Sequence, residues 1–201
     1  DPTLELHDDM KLGWYLGTLK HDATDELCKL IRRFAETLGI PEEKIVFWGS
    51  SGGGFASLAM AARIEGSTGV AINAQTDVLS YNLDSAVKRV RSLWFNSKSA
   101  ADIQQTFGHR VNMEKAWRNN QHSRAILIQN KVDTHHYRRH FQPLWAAFQG
   151  DSEGGRSADG RHFAWLYDDP SGHAPESEDM IPEILGLIEN YEHMELPLAL
   201  A

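Results

Sequence analysis

Residues 44–64, Lys44-Ile45-Val46-Phe47-Trp48-Gly49-Ser50-Ser51-Gly52-Gly53-Gly54-Phe55-Ala56-Ser57-Leu58-Ala59-Met60-Ala61-Ala62-Arg63-Ile64, decide the fold. The apolar run Lys44 to Trp48 is too short for a helix and rich in β-formers, so it reads as a buried strand. Gly49 to Gly54 reads as a tight turn, and Phe55 to Ile64, small and apolar throughout, as a helix.

The pattern repeats outward from this unit. Upstream, residues 23–38 place Leu27, Leu30, Ile31, Phe34, Ala35 and Leu38 on one face of a 3.6-residue period, with Gly39 and Pro41 as stop signals. Downstream, Val70–Asn73, Ala125–Gln129 and Phe163–Tyr167 read as further short strands. Helical patterns lie between them, with Pro143 a kink or restart within 135–149, and a last helix runs from about Ser177 to about Met194. Strands alternating with helices predict an α/β class: one parallel sheet flanked by helices in a single domain over residues 1–201. Residues 77–122 form a long, helical, lid-like insertion, and 150–161 a polar, Gly-rich, mobile loop.

Composition narrows the function classes. The chain has 201 residues, 41% apolar and 24% charged, and a net charge of -8, which disfavours a general nucleic-acid role. No apolar run approaches the roughly 18 residues of a membrane span. The single cysteine, Cys28, lies on the apolar helix face and is expected to be buried and inert. It fits a reducing compartment and hence a cytoplasmic location.

Gly49-Ser50-Ser51-Gly52-Gly53 fits G-x-S-x-G between a strand and a helix. In such a turn the chain is so sharp that side chains two positions either side of the serine are expected to clash, and Gly49 and Gly53 supply none. Ser51 is the candidate nucleophile, with the Gly52 N–H facing a developing oxyanion. Ser50 is the competitor, but Trp48 stands where its register needs glycine. A phosphate-binding turn fits less well, because Phe55-Ala56 rather than Lys-Ser/Thr follow the last glycine.

A serine hydroxyl needs a base, and an acid to orient it, from loops at the carboxyl ends of the strands. Asp133 follows the Ala125–Gln129 strand, and His173 follows Phe163–Tyr167 just before the last helix. Asp77 is the alternative acid, and Asp168 and Asp169 sit too near His173 in sequence to orient it. His136 and His140 share one helix face, but the stretch lacks the Glu of H-E-x-x-H. They are expected to be exposed, with no metal and no cofactor.

At Ser51, Asp133, Gly172 and His173 the chain resembles the α/β-hydrolase superfamily. The resemblance implies a three-layer sandwich and a serine esterase acting through an acyl-enzyme on Ser51, with His173 as general base. The alternatives are an O-acyltransferase, possibly on a glycan, or a non-catalytic scaffold. It also implies N-terminal strands that do not precede Lys44, so the expectation is the C-terminal part of a longer protein. The edge at 44–48 would then be covered by another contact. Gly13 to Gly17 either enters the site or covers that edge. Gln75 is a candidate substrate contact, and Trp94 either lines an acyl or glycan pocket or packs the insertion down. The insertion holds seven Lys or Arg against four acids, so it is either a basic cap for an anionic or sugar-rich substrate or a solvated face.

Overall fold

A computed structural model describes residues 1–8 and 10–191. The chain builds a five-stranded sheet in the order β1-β2-β3-β5-β4: β1 Val46–Ser50, β2 Thr68–Ile72, β3 Arg124–Asn130, β4 Gly155–Arg156 and β5 Phe163–Tyr167. β1, β2, β3 and β5 are parallel, and β4 pairs antiparallel with β5. The parallel strands align closely in register: Ser50 lies beside Ile72, Ile72 beside Ile128, and Ile128 beside Trp165. Their carboxyl ends therefore open onto one edge of the molecule.

Alternation along the strands sorts the core. Val70, Ile72, Ile126, Ile128 and Phe163 face one side and pack with Ile184 and Leu187 of α8 (Ile181–Glu189). Ala71, Ala125, Leu127 and Ala164 face the other, where α2 (Gly52–Ala61), α5 (Met113–Trp117) and α7 (Gln142–Ala147) cover them. The helical stretch between β2 and β3 also contains α3 (Asp84–Trp94) and α4 (Ala100–Val111). Val90, Trp94, Phe95, Ile103, Val111, Met113 and Trp117 from this stretch are buried in the same core cluster as the sheet.

Several boundaries differ from the sequence reading. β1 begins at Val46 and continues through Ser50, while Glu42–Lys44 form a single 3-10 turn. The glycines expected to make a turn are divided: Gly49 lies within β1, and Gly52 to Gly54 are the first turn of α2. The 150–161 loop is not wholly irregular, because Gly155–Arg156 adds a short strand to β5. Pro143 restarts α7 after α6 (Thr134–His136) and a π-type turn over Tyr137–Phe141. The last helix follows a 3-10 turn at Glu178–Met180. Its expected extension to Met194 falls partly outside the described residues.

α1 (Ala23–Leu38) has the predicted limits but not the predicted contacts. Cys28 and Ala35 are buried, whereas Leu30, Phe34 and Leu38 are 48%, 60% and 68% exposed. The helix leans on α2 through Cys28, Met60 and Ile64, beside the edge strand β1, and its outer stripe lies beyond the last strand. Burial raises the Cys28 thiol pKa to about 11, so it stays protonated at neutral pH. No helix among the described residues is long and apolar enough to cross a membrane.

Candidate active site

Ser51 stands between β1 and α2 with φ 54 and ψ -118, a backbone region that side-chain-bearing residues avoid. Its N–H donates to the Ile72 carbonyl oxygen at 2.9 Å, and its own carbonyl accepts from the Phe55 N–H, which fastens the turn to β2 and α2. Gly49 is needed for close approach: a Cβ there would lie 2.4 Å from the Gly53 carbonyl carbon and oxygen. Gly53 is not, since a Cβ there would have nothing within 4 Å. The second steric glycine is Gly54, where a Cβ would come 2.6 Å from Ala74 Cβ. The expected symmetry about Ser51 fails because the backbone that crowds Gly49 is that of residue 53, whose own Cβ direction points outward.

Ser51 Oγ lies 3.0 Å from His173 Nε2, and His173 Nδ1 lies 2.7 Å from Asp133 Oδ2. A hydroxyl, an imidazole and a carboxylate 122 and 40 residues apart thus stand in series. Ser51 is half-buried, the His173 side chain is 36% exposed and that of Asp133 is 7% exposed. Burial by itself would raise the Asp133 pKa. The contacts to His136 and then His173 outweigh it and hold the carboxyl below its ordinary value, ionised at neutral pH. Such a series can take a proton from the hydroxyl onto the imidazole and stabilise the resulting charge. Gly52, at the first position of α2, offers one of the amide N–H groups that a helix start leaves without an intrahelical partner.

Side chains from three different strand ends hold the loop that carries His173. Asn73, after β2, donates to the Ala174 carbonyl at 2.8 Å and to the Tyr167 hydroxyl at 2.9 Å. Asn130, ending β3, donates to the carbonyls of Gly172 at 2.8 Å and Asp169 at 2.7 Å. Glu176 reaches back to β1, accepting from Trp48 Nε1 at 2.8 Å and from the Ser50 hydroxyl. Burial would raise the Glu176 pKa, but these two hydrogen bonds lower it. The competing serine is therefore a partner of Glu176.

Gln75 is buried beside Ser51, its Nε2 donating to Ser51 Oγ at 3.0 Å. The Gly13 to Gly17 segment does enter the site: Trp14, fully buried at φ 50, donates from Nε1 to Gln75 Oε1 at 3.1 Å. Trp94, the other candidate substrate contact, is 5% exposed in the core. Asp77 is turned away, capping Leu79 and accepting from Gln104, while Asp168 pairs with Lys131 and Asp169 with Ser171. Arg110 of the basic stretch is buried against Asp22 and the carbonyls of Leu16 and Thr18, so its charge serves the fold.

His136 and His140, expected on an exposed helix face, are 3% and 0% exposed. His136 ends α6 and His140 lies within the π-type turn that follows it; both rings, and Phe141, are packed into the interior. Burial, and then the neighbouring imidazoles, push His136 down to about 4 and His140 to about 3, so both are neutral at pH 7. Asp133, His136 and His173 also form a group that can gather round a metal ion. Asp133 Oδ2, however, is 2.7 and 2.8 Å from the two Nδ1 atoms, hydrogen-bonding separations. Ligand atoms around a tetrahedral ion with bonds of about 2.0–2.1 Å stand about 3.3 Å apart. No protein-family model and no curated protein matches the chain.

Proposed function

We propose that the protein is a serine hydrolase of α/β-hydrolase type that cleaves a carboxylic ester through an acyl-enzyme on Ser51. The observation that carries the reading is the series Ser51 Oγ, His173, Asp133, with contacts of 3.0 and 2.7 Å, built on a serine at φ 54 between a strand and a helix. Ser51 Oγ attacks the ester carbonyl carbon as His173 Nε2 takes its proton. The Gly52 N–H donates to the oxygen on which negative charge collects. Collapse breaks the bond to the alkoxy group, which leaves with the proton from His173. Water then repeats the sequence at the acyl carbon, releasing the acid and restoring Ser51. Asp133 stays ionised throughout and holds the Nδ1 side of the ring.

The experiment is labelling with a fluorophosphonate probe together with turnover of a short-chain p-nitrophenyl ester. The expected result is one label, on Ser51, and a loss of at least about a thousandfold in kcat in Ser51→Ala. Turnover that survives in Ser51→Ala would remove Ser51 from the reaction. A folded wild-type chain that neither labels nor hydrolyses would favour the scaffold reading.

A further inference from the structure

The site holds an imidazole that the reaction above does not use. His136 lies flat against His173, ring centroids 4.0 Å apart and planes 10° from parallel. Both rings bring Nδ1 close to the same carboxylate oxygen: Asp133 Oδ2 is 2.7 Å from His173, a hydrogen bond, and 2.8 Å from His136, close enough but outside hydrogen-bond geometry. On its other side His136 Nε2 is 2.8 Å from Gln75 Nε2, the nitrogen that also donates to Ser51 Oγ. The contacts close on themselves through Ser51, Gln75, His136, Asp133 and His173.

The direction of donation round this ring is set from outside it. An indole N–H can only donate, and that of Trp14 meets Gln75 Oε1 at 3.1 Å in a fully buried place. Turning the amide over would set its NH2 against the indole N–H, two donors with no acceptor between them. The Gln75 NH2 therefore faces His136 and Ser51. Because that group can only donate, His136 Nε2 must accept, and a neutral imidazole accepting there carries its proton on Nδ1, facing Asp133.

We propose that His136 is a positioning residue: a neutral imidazole locked in the Nδ1–H form, through which Trp14 and Gln75 orient the Asp133 carboxylate and the amide that faces Ser51. The inference rests on Ser51 and His173 being the reacting pair. A neutral imidazole carries one donor and one acceptor on a rigid ring that also stacks on His173, whereas phenylalanine can stack but has neither polar group. Neutrality matters as well, since a charge on His136 would oppose the proton that His173 takes from Ser51. Burial, His173 and His135 all disfavour that charge, while Asp133 favours it. His140 is the remaining titratable ring against it, 5.2 Å away, and Tyr81 is 5.9 Å away.

The test is the two-bond 1H–15N imidazole spectrum of the uniformly 15N-labelled chain at pH 7, with His136 assigned by difference against His136→Phe and, separately, against Gln75→Glu. The expected result is a neutral His136 with Nδ1 protonated, the minor tautomer of a free imidazole. Gln75→Glu should turn it into an imidazolium, because an acceptor then faces Nε2. In His136→Phe the label on Ser51 should remain, kcat should fall about tenfold to a hundredfold, and KM should move little. A His136 proton on Nε2 in the wild-type chain, or a His136→Phe enzyme with wild-type kcat, would overturn the assignment. Turnover surviving in Ser51→Ala would instead overturn the reaction and leave the tautomer standing.

Discussion

Acid should unfold this protein in a way that His162 makes measurable. His162 is 2% exposed at the start of β5, stacked on Phe148 at 3.8 Å, and its Nδ1 accepts from the Ala125 N–H at 3.2 Å. Burial, and then the charge of Arg161, lower its pKa to about 4. In the unfolded chain the same ring takes up its proton near 6.5. Below 6.5 the unfolded state therefore binds more protons, and stability falls with pH until the folded ring also titrates near 4. Between pH 7 and pH 5 the loss is about 2 kcal/mol for this residue. His136 and His140 are depressed in the same direction, so they add to the loss of stability in acid. Asp133 and Asp159, whose pKa values are also lowered, begin to cost stability only below this window. The perturbation is His162→Asn, which keeps an acceptor for Ala125 and abolishes the titration. Urea unfolding followed by tryptophan fluorescence at pH 7, 6 and 5 gives the stability of each form. The variant should start less stable, having lost the ring, yet lose about 2 kcal/mol less than wild type on going to pH 5. Parallel pH dependences in the two proteins would refute the buried, neutral histidine.

Two substitutions separate the glycines of the turn. Gly49→Ala should destabilise by about 1–3 kcal/mol, because backbone must move, whereas Gly53→Ala should raise stability by about 0.4–1 kcal/mol; thermal melting checks that the signs are opposite. Glu176→Ala should slow fluorophosphonate labelling of Ser51 about threefold or more while shifting Tm by only a few degrees, since it frees one tether of the His173 loop. An unchanged labelling rate would make that tether irrelevant to the site.

The local unit from β1 to α2 was legible because everything that defines it is adjacent in the chain: β-forming apolar residues, then glycines, then a run of small apolar residues. Asp133 and His173 could be placed near Ser51 because parallel strands bring their carboxyl ends together whatever the distance in sequence. The contacts that organise the site had no such signature. Gln75 meets His136 across 61 residues, and Glu176 meets Ser50 across 126. The i, i+4 spacing put His136 and His140 on one face but did not show which way that face turns, and it turns inward, with the two rings 5.2 Å apart. The outer stripe of α1 misled in the opposite direction, since an amphipathic pattern shows which face is apolar and not whether anything packs on it.

The tethers of the His173 loop say how the site is built to work. Asn73 accepts from the Asn130 N–H and from Gln129, and donates to Tyr167 and Ala174. Asn130 accepts from the N–H groups of Val132 and Asp169 and donates to the carbonyls of Asp169 and Gly172. Every donor and acceptor of both amides is therefore used, which is how two asparagines sit fully buried at little net cost. The bonds fall on Gly172 and Ala174, the residues on either side of His173, and come from two different strands. Moving the imidazole relative to Ser51 means breaking one of these bonds or straining the strand that bears it. Ser51 itself is held at φ 54 by its backbone bonds to Ile72 and Phe55, so the hydroxyl and the imidazole are both fixed in place. On the proposed hydrolase reading, the alignment of hydroxyl and imidazole is thus set before a substrate arrives, and binding energy does not have to create it.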